Sequence, residues 1–571
     1  MPGTFFGFNT ALRGMQAQQR GIYTTAHNIA NANTEGYTRQ RVVLATTPAY
    51  PVPAMNRPGG QGWQIGTGVD SQETRRMRDE FLDTQIRREI GSLGMWEQIQ
   101  DVLQQVEIVF NEPSDTGLST LMSQFWAAWQ ELSKYAESSP VRTTVVETAN
   151  ALAEAFNHSA AQLETIKNDI DQTIELKVKE INSLAQQIAD LNGQIKNLVT
   201  VGDQPNDLMD QRDLLLDRLS KIIDFTLEKN VGADGKPDGT IKVLVNGTDI
   251  TEVGSDKKIV NTVSTDSTDK WKVLLNGTEV TFDRGEIKGL QEAHDDVQVY
   301  IDNLNTLAGE LAAAINTQHQ AGYGIETPPQ ARLFFVPATG TAIDASNISV
   351  NSALQDNPML VAAAATVNAA IASHLGSGAV GKGLDPGVMY QIVASGGVLQ
   401  LQKSTDGGSM WTDVGDSVSG INWDGTTVVT VGDTGENITF TTSASPPSDG
   451  NYIIDLATAT VPPGDGSNAL AIAQLQHELM AGLANATFDD YYKNFTAKLG
   501  VDAHEAERMT TNQGVLVDQL TNRKESISGV SLDEEMANML QYQRAYEAAA
   551  RMITTLDAML DKIINGMGVT R

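Results

Sequence analysis

The stretch FFGFNTALRGMQAQQRGIYTTAHNI, from Phe5 to Ile29, determines the architecture of one part of the molecule. Its apolar side chains recur at alternating steps of three and four residues, which is the spacing of the a and d positions in a coiled coil. This N-terminal seam consists of Phe5, Phe8, Leu12, Met15, Ile22 and Ile29, with Gln19 and Ala26 at its two softer positions. The sequence therefore predicts a helix of roughly 40 Å that presents an apolar stripe to a partner.

A second stripe with the same spacing lies far along the chain. This C-terminal seam consists of Leu532, Met539, Tyr542, Tyr546, Ile553, Leu556, Leu560 and Ile563, interspersed with Glu535 and Ala549. Ser531 and Glu534 match a capping box, so the helix is predicted to begin there. Two such stripes are expected to pack on each other or on copies of themselves. The alternative is that both belong to ordinary surface helices of one globular core.

Helical and β-rich segments alternate between the two seams. The sequence after Pro140 contains no proline up to Val199 and predicts one helix of roughly 90 Å. Further helices are predicted at 206–224, 289–320, 467–484 and 486–526. The related segments KVLVNGTDIT (242–251) and KVLLNGTEVT (272–281) each place Asn-Gly between β-branched residues, which predicts two hairpins. Residues 331–462, which are rich in Gly, Ser and Thr, predict one or two small β-domains.

The composition excludes several classes of function. The 71 acidic residues outnumber the 40 basic residues and give a net charge of −31, which argues against a nucleic-acid groove and against docking on an anionic membrane. The chain has no cysteine, which excludes disulfides, thiolate catalysis and cysteine-based metal sites. The seven histidines lack the spacing of metal ligands, and no phosphate-binding glycine loop is present. We therefore expect no catalytic, cofactor or metal site, no membrane insertion and no cleaved signal peptide.

Two polar motifs receive structural interpretations. Asp207, Asp210, Asp213 and Asp217 lie along the predicted helix 206–224 and are interpreted as its solvated face. The segment STDGGSMW (404–411) resembles the Asp box of sialidases and other β-propellers, except that Met410 stands where that motif has threonine. We interpret this segment as a hairpin turn. The alternative function that it raises is that of a secreted glycan-binding protein.

The segment AHNIANANTEGYTRQ (26–40) resembles the signature of bacterial flagellar axial proteins. The residues that carry this family motif are Asn28, Asn31, Asn33, Thr34, Gly36 and Tyr37. The segment GVSLDEEMANMLQYQRAYEAAAR (529–551) is closest to the flagellar hook-associated protein 1 family, also called the FlgK family. The segments PNDLMDQRDLLLD (205–217) and INTQHQAG (315–322) agree with it. A hook or distal rod protein of the same axial family is the alternative.

The resemblance implies a structural protein rather than an enzyme. It implies that the chain self-assembles in a helical axial layer, as a thin zone between hook and filament and as an adaptor between them. The implied partners are the hook protein, the second hook-associated junction protein on the filament side, and a cytoplasmic export chaperone that binds the C-terminal helical region. Type III export without a cleaved signal would place the protein in the extracellular flagellum.

The expected fold class is multidomain α+β. The terminal helices are expected to pair as an α-helical coiled coil, next to a long-helix bundle with inserted β-rich outer domains. The expected domains are 1–60 with 530–571 for the coiled coil, 61–224 with 289–330 and 467–529 for the bundle, 225–288 for the hairpins, and 331–466 for the outer β-rich part, of which 366–462 is most variable in the family.

Overall fold

The computed structural model describes residues 5–50, 65–110, 117–232, 235–370, 375–385 and 388–566. The helices in these residues are α1 (Phe6–Ala30), α2 (Glu80–Phe110), α3 (Leu118–Lys134), α4 (Ser139–Thr200), α5 (Asn206–Ile222), α6 (Glu286–Gln320), α7 (Ser352–Asp356), α8 (Ser467–Gln474), α9 (Phe488–Ser528) and α10 (Leu532–Asp561). The long predicted helix is confirmed as α4, which spans 62 residues.

Strands alternate with these helices along the chain. They are β1 (Gln40–Thr46), β2 (Val69–Arg76), β3 (Thr226–Val231), β4 (Pro237–Val245), β5 (Thr248–Asp249), β6 (Val263–Thr265), β7 (Val273–Leu275), β8 (Thr278–Glu279), β9 (Phe335–Pro337), β10 (Ile348–Val350), β11 (Thr366–Ala370), β12 (Gly376–Lys382), β13 (Met389–Ser395), β14 (Val398–Ser404), β15 (Thr412–Val418), β16 (Val428–Gly432), β17 (Asn437–Thr442) and β18 (Gly450–Thr460). Long helices with several separate sheets confirm the multidomain α+β fold class.

The chain divides into two compact units. The first comprises Met1–Asp101, Ile170–Ala293 and Glu505–Arg571, and the second comprises Val102–Asp169 and His294–His504. The finer division into four domains stays a prediction. Parts of the predicted terminal domain and of its border with the helix bundle, at 1–4, 51–64 and 567–571, lie outside the described residues.

The first unit contains α1, α10, α5 and three small sheets. Strands β1 and β2 form an antiparallel hairpin, and the two Asn-Gly hairpins belong to the sheets β3-β4-β5 and β6-β7-β8. The turn residues Asn246 and Gly247 have φ values of 48° and 81°, and Asn276 and Gly277 have 52° and 81°. Positive φ at both central residues is what a type I′ turn requires, and Asn-Gly adopts it readily. The two hairpin predictions are confirmed.

The second unit combines a helical part with a β-barrel. The helical core is aromatic: Phe125, Trp129, Phe334 and Phe335 are fully buried and meet edge to face or tilted, with ring centroids 4.9–6.2 Å apart. In the described residues the large sheet has eight strands in the order β15-β14-β13-β18-β11-β12-β17-β16. Its edge strands approach each other so closely that a Cβ at Gly415 would lie 2.5 Å from the carbonyl carbon of Gly432. The sheet therefore curls around a buried core.

The segment that enters the barrel and the segment that leaves it are joined by hydrogen bonds at one point. Asp465 accepts hydrogen bonds from the amides of Ala365 and Thr366, both at 3.1 Å, and from the Thr366 hydroxyl at 2.7 Å. The amide of Asn468 donates to the carbonyl of Ala363 at 3.0 Å. The segments that enter and leave the barrel therefore lie side by side.

Two local predictions have different outcomes in this unit. The Asp-box segment is confirmed as the turn between β14 and β15, where the Asp406 carboxylate accepts hydrogen bonds from the Ser404 hydroxyl and the amides of Ser409 and Met410. The helix predicted over 467–484 is wrong in its extent, because α8 ends at Gln474. Short 3-10 turns follow it, and Ala484 takes a left-handed φ of 56°. A Cβ at Gly482 would clash with the Glu310 carboxylate, a long-range contact that local periodicity does not reveal.

Candidate assembly site

Helices α1 and α10 pack antiparallel to each other, with glycines of α1 facing large side chains of α10. A Cβ at Gly7 would lie 3.5 Å from Leu556, and a Cβ at Gly21 would lie 3.0 Å from the ring of Tyr542. Because partner numbers fall on α10 as they rise on α1, the helices run in opposite directions. At Gly21 a Cβ would lie closer than an ordinary van der Waals contact, so the approach of Tyr542 favours glycine there, whereas the 3.5 Å at Gly7 is an ordinary contact.

The face of α1 that contacts α10 was missed by the sequence analysis. Contacts with α10 are made at Gly7, Gly21 and Asn28, and together with the buried Ala11 and Thr25 these residues follow the three-and-four spacing of the predicted N-terminal seam, one residue earlier. Of the seam itself, Phe8, Leu12, Met15, Ile22 and Ile29 are only partly buried, and Phe5 is 61% exposed. A search for small residues at heptad spacing would have found the contact face.

The C-terminal seam lies closer to the contact. Tyr542 and Leu556 face glycines of α1, and the other seam residues Met539, Tyr546, Ile553 and Leu560 are partly buried. Leu532 and Ile563, at its two ends, are exposed. Of the α10 side chains that the structure describes, only Glu535 is buried.

A second apolar set on α10 was also missed. Met536, Leu540, Met552 and Met559 lie beside the C-terminal seam, and each is more than half exposed. These four residues are called the outer α10 set below. In the heptad numbering of the seam, with Leu532 at position a, Met536 is at e, Leu540 at b, and Met552 and Met559 at g, so the pattern of a and d positions does not include them.

The family motif centres on a buried hydrogen-bond network around Asn28, which is 1% exposed. The Asn28 amide nitrogen donates to Glu535 Oε2 and to the Gln40 carbonyl, both at 2.9 Å. Its side-chain oxygen accepts from the Gln40 amide at 3.0 Å and from the Tyr37 hydroxyl at 2.7 Å. Arg39 Nε donates to the other oxygen of Glu535 at 2.8 Å. The network joins α1, the loop of residues 31–39 that follows it (the motif loop), β1 and α10.

The remaining motif residues shape the loop after α1. The Asn31 amide donates to the carbonyl of His27 at 3.0 Å, and the Thr34 hydroxyl donates to Asn31 Oδ1 at 3.2 Å. Gly36 has φ +78° and a Cβ there would lie 3.2 Å from Leu214, so both conformation and space favour glycine. Asn33 is exposed.

The Tyr37 phenol of the motif stays protonated at neutral pH. Burial raises its pKa, and the charges of Asp207, Asp210 and Glu535 raise it further. The hydroxyl therefore remains a hydrogen-bond donor to Asn28 under ordinary conditions.

Ser531 is the N-cap of α10, with its side chain 3.5 Å from the amide of Glu534. The Glu534 carboxylate accepts a hydrogen bond from Arg39 Nη1 at 2.9 Å. One guanidinium therefore binds both Glu534 and Glu535 at the start of the helix.

The interpretation of the Asp207–Asp217 run as a solvated face is wrong for Asp210 and Asp213, although Asp207 is exposed as expected. Asp210 and Asp213 are buried, and they pair with arginines of the β2 segment and α2. Arg76 Nη1 lies 2.8 Å from Asp210 Oδ1 and 2.7 Å from Asp213 Oδ2, while Arg78 Nη1 lies 3.0 Å from Asp213 Oδ2. The arginines are far from the aspartates in sequence, so the spacing of the aspartates could not reveal them.

The two buried aspartates differ in electrostatics. Burial raises the pKa of Asp210, although Arg76 and the Thr38 amide oppose it. At Asp213 burial also acts to raise the pKa, but Arg78, Arg76 and Arg87 together outweigh it and hold the pKa below its ordinary value. Asp213 is thus a fixed negative charge among three guanidinium groups.

The motif loop borders a cleft of about 690 Å³ in the first unit. Its other walls come from the end of α9 and the start of α10, including Lys524, Ser528 and Glu534. In the part of the chain that the structure describes, no three acidic or histidine side chains are grouped so that they could hold a metal ion. Within the same residues, none of the helices has the length and apolar character needed to cross a membrane.

Comparisons with known proteins agree with this geometry. A model of the flagellar hook-associated protein FlgK helical domain matches residues 103–334. Models of the flagella basal body rod protein and of the flagellar basal body rod FlgEFG protein C-terminal match residues 8–38 and 525–566, which hold α1 and α10. Flagellar hook-associated protein 1 of Bacillus subtilis is 32% identical over 577 residues, covering 100% of this chain and 99% of the relative. The chain belongs to the flagellar hook-associated protein 1 family.

Other relatives also match this chain over nearly its full length. The Escherichia coli and Salmonella typhimurium proteins of that name are 26% and 27% identical, each covering 98% of this chain and 99% of the relative. The solved flagellar hook junction protein FlgK from Burkholderia pseudomallei shares the fold, with a TM-score of 0.55 at 16% identity over 78% of this chain and 100% of that chain. The chain is a hook-associated structural protein of the bacterial flagellum that self-assembles there. These matches favour neither a hook or rod protein nor a glycan-binding protein.

Proposed function

We propose that the chain forms a thin zone between hook and filament, as an adaptor that contacts the hook protein on one side and the second hook-associated junction protein on the other. It is exported from the cytoplasm without a cleaved signal and works outside the cell, with no catalytic activity and no cofactor or metal. A cytoplasmic flagellar export chaperone binds its C-terminal helical region beforehand. Family membership over the full length supports this proposal.

The observation that carries the proposal is the exposure of apolar side chains on α10. The helix buries Glu535 alone among its described side chains, while the outer α10 set is exposed. Several apolar side chains exposed to water on one helix are unfavourable in an isolated molecule, and they are typical of a surface that binds a partner. In our proposal neighbouring copies cover these residues and the exposed ends of both seams.

Within this proposal, the two seams and the outer α10 set have different tasks. The C-terminal seam residues Tyr542 and Leu556 hold α10 against α1 of the same chain. The outer α10 set and the part-exposed N-terminal seam make contacts between copies. The motif residues Asn28 and Tyr37 anchor the helix pair to the rest of the first unit.

We predict that Met552→Asp combined with Met559→Asp blocks assembly without unfolding the chain. Both side chains are more than half exposed, so the free chain gains two solvated charges, but any contact between copies there must bury them. The measurement is filament formation and motility in cells that carry the variant as their sole copy, together with the circular dichroism of the purified chain. We expect unchanged helix content and loss of nearly all filaments.

The matched control is Gln541→Asp with Thr555→Asp, which adds the same charges at other exposed positions of α10. A third variant, Leu556→Asp with Leu560→Asp, acts on the contact within the chain and is expected to loosen α10 and also to block assembly. Normal filaments from the Met552 and Met559 variant would contradict the role of the outer α10 set.

Fluorescent labelling separates the proposal from a hook-type role. A junction protein gives one spot at the base of each filament, whereas a hook protein gives a curved labelled segment. A label along the whole hook would contradict the proposed position.

A further inference from the structure

The contacts between α1 and α10 fall at multiples of seven residues along both helices. Gly7, Gly21 and Asn28 of α1 face Leu556, Tyr542 and Glu535 of α10, and Gly14 and Ala549 stand at the intervening heptad positions in the sequence. The structure documents the two glycine contacts at Gly7 and Gly21 and the hydrogen bond between Asn28 and Glu535. The first three positions combine a glycine with a larger side chain, and only the fourth pairs a buried amide with a carboxylate.

Such a repeat permits more than one register of α10 along α1. A shift of α10 by seven residues, about 10.5 Å, would place Leu556 opposite Gly14 and Ala549 opposite Gly21. Gly14 has room for this, because a Cβ there would meet no atom within 4 Å. Packing of apolar groups against glycine is not directional, so these contacts alone do not select one register.

The polar pair distinguishes the registers. Asn28 donates two hydrogen bonds and accepts two, and each oxygen of Glu535 accepts one. In the shifted register Asn28 would face Tyr542, and Glu535, which is 3% exposed here, would lose both partners. A buried carboxylate without partners is strongly destabilising, so every register but one is penalised.

We propose that Asn28 and Glu535 are positioning residues that lock the register of α10 on α1. A single polar pair within an otherwise repetitive helix contact fixes the axial position of the two helices. The register then determines which apolar residues of α10 lie beside α1 and which remain available to another molecule. The lock is a property of the single chain and does not depend on the proposed junction role.

The test uses engineered disulfides, for which the absence of natural cysteine gives a clean background. Gly7→Cys with Leu556→Cys reports the observed register, Gly14→Cys with Leu556→Cys reports the shift described above, and Gly14→Cys with Tyr542→Cys reports the opposite shift. A disulfide needs Cα atoms within about 7 Å, so a displacement of one heptad separates the reporters. Each pair is placed in the full-length chain with and without Asn28→Leu plus Glu535→Leu. Non-reducing gels at low protein concentration detect the intramolecular bond.

In the otherwise natural chain we expect the first cysteine pair to cross-link. The disulfide yield of each of the other two pairs should be at least about tenfold lower. When the chain also carries both substitutions, Asn28→Leu and Glu535→Leu, the disulfide yield of at least one shifted pair should rise by about tenfold. The matched control, Gln16→Leu with Gln541→Leu, adds two leucines at exposed positions and should leave the pattern unchanged.

Three results would overturn the proposal. One is equal cross-linking of observed and shifted pairs in the natural background, a result that requires no destabilising variant. Another is an unchanged pattern after both leucine substitutions. The third is loss of all cross-links in that variant, because the two residues would then hold the helices together rather than select their register. Glu535→Gln, which keeps the shape and one acceptor, should give a smaller shift than Glu535→Leu.

Discussion

Replacing Asp213 with alanine is expected to lower the stability of α5 by about 3–5 kcal/mol, the usual cost of removing one partner from a buried ion pair. The Asp213 carboxylate lies between Arg76, Arg78 and Arg87, and the side chains of Arg78 and Arg87 are themselves about nine-tenths buried. Without the carboxylate, three positive charges would face one another with less compensation. Hydrogen exchange of the α5 amides measures the free energy of local opening.

The control for this prediction is Asp203→Ala, an exposed aspartate just before α5. It should change the opening free energy by less than about 0.5 kcal/mol. Asp213→Asn preserves the shape and removes the charge, and it should fall between the natural chain and Asp213→Ala. A loss below about 1 kcal/mol for Asp213→Ala would mean that the remaining carboxylates compensate the arginines, contrary to the prediction.

The second large effect is a loss of stability in the second unit as the pH falls. His319 is fully buried; the structure places its Nδ1 2.7 Å from the Arg332 carbonyl and its Nε2 2.9 Å from the Ala362 amide, which donates to it. Burial, together with the charges of Arg142 and Arg332, lowers the pKa of His319 to about 4. A neutral ring with its proton on Nδ1 satisfies both contacts.

The direction of the pH effect follows from this lowered pKa. The unfolded chain binds a proton at His319 below about pH 6.5, whereas the folded chain resists it down to about pH 4. The contribution of His319 to the free energy of unfolding is therefore fully present above pH 6.5, and it is lost as the pH falls towards 4. Linkage gives a loss of about 2 kcal/mol between about pH 7 and pH 5. Trp129, whose ring centroid lies 6.4 Å from that of His319, provides a fluorescent reporter of unfolding in urea.

The difference between variants isolates His319 from the other titrating groups. His319→Gln is expected to be less stable than the natural chain at about pH 7. Between about pH 7 and pH 5, however, its free energy of unfolding should fall by about 2 kcal/mol less than that of the natural chain. His158→Gln, at an exposed histidine, should follow the natural chain. Parallel pH profiles for the natural chain and His319→Gln would contradict the prediction.

Local signals in the sequence predicted local structure well. The Asn-Gly turns, the long α4 helix and the Asp-box turn depend on neighbouring residues, and all were predicted correctly. The apolar seams predicted helices α1 and α10 correctly as well, since heptad spacing is a property of the helix itself.

Long-range pairing could not be predicted in the same way. The partners of Asp213 lie in β2, just after it and in α2, and the partner of Glu535 lies 507 residues earlier at Asn28. A carboxylate on a helix has the same local sequence pattern whether water or an arginine faces it. The contact face of α1 was missed because glycine and alanine carry little hydrophobic signal, although their small size lets α10 approach.

The segments that enter and leave the barrel lie side by side at Asp465 and Asn468, and this has a practical consequence for engineering. Because the chain leaves for the barrel and returns at neighbouring positions, a foreign domain whose ends lie close together fits the same gap without stretching the helices that flank it. Residues 367–464 therefore form a natural grafting position, because Thr366 and its hydrogen bonds to Asp465 are kept. A fluorescent protein or an enzyme joined there would be displayed as a passenger on the flagellum, while the helices that assemble it keep their own sequence.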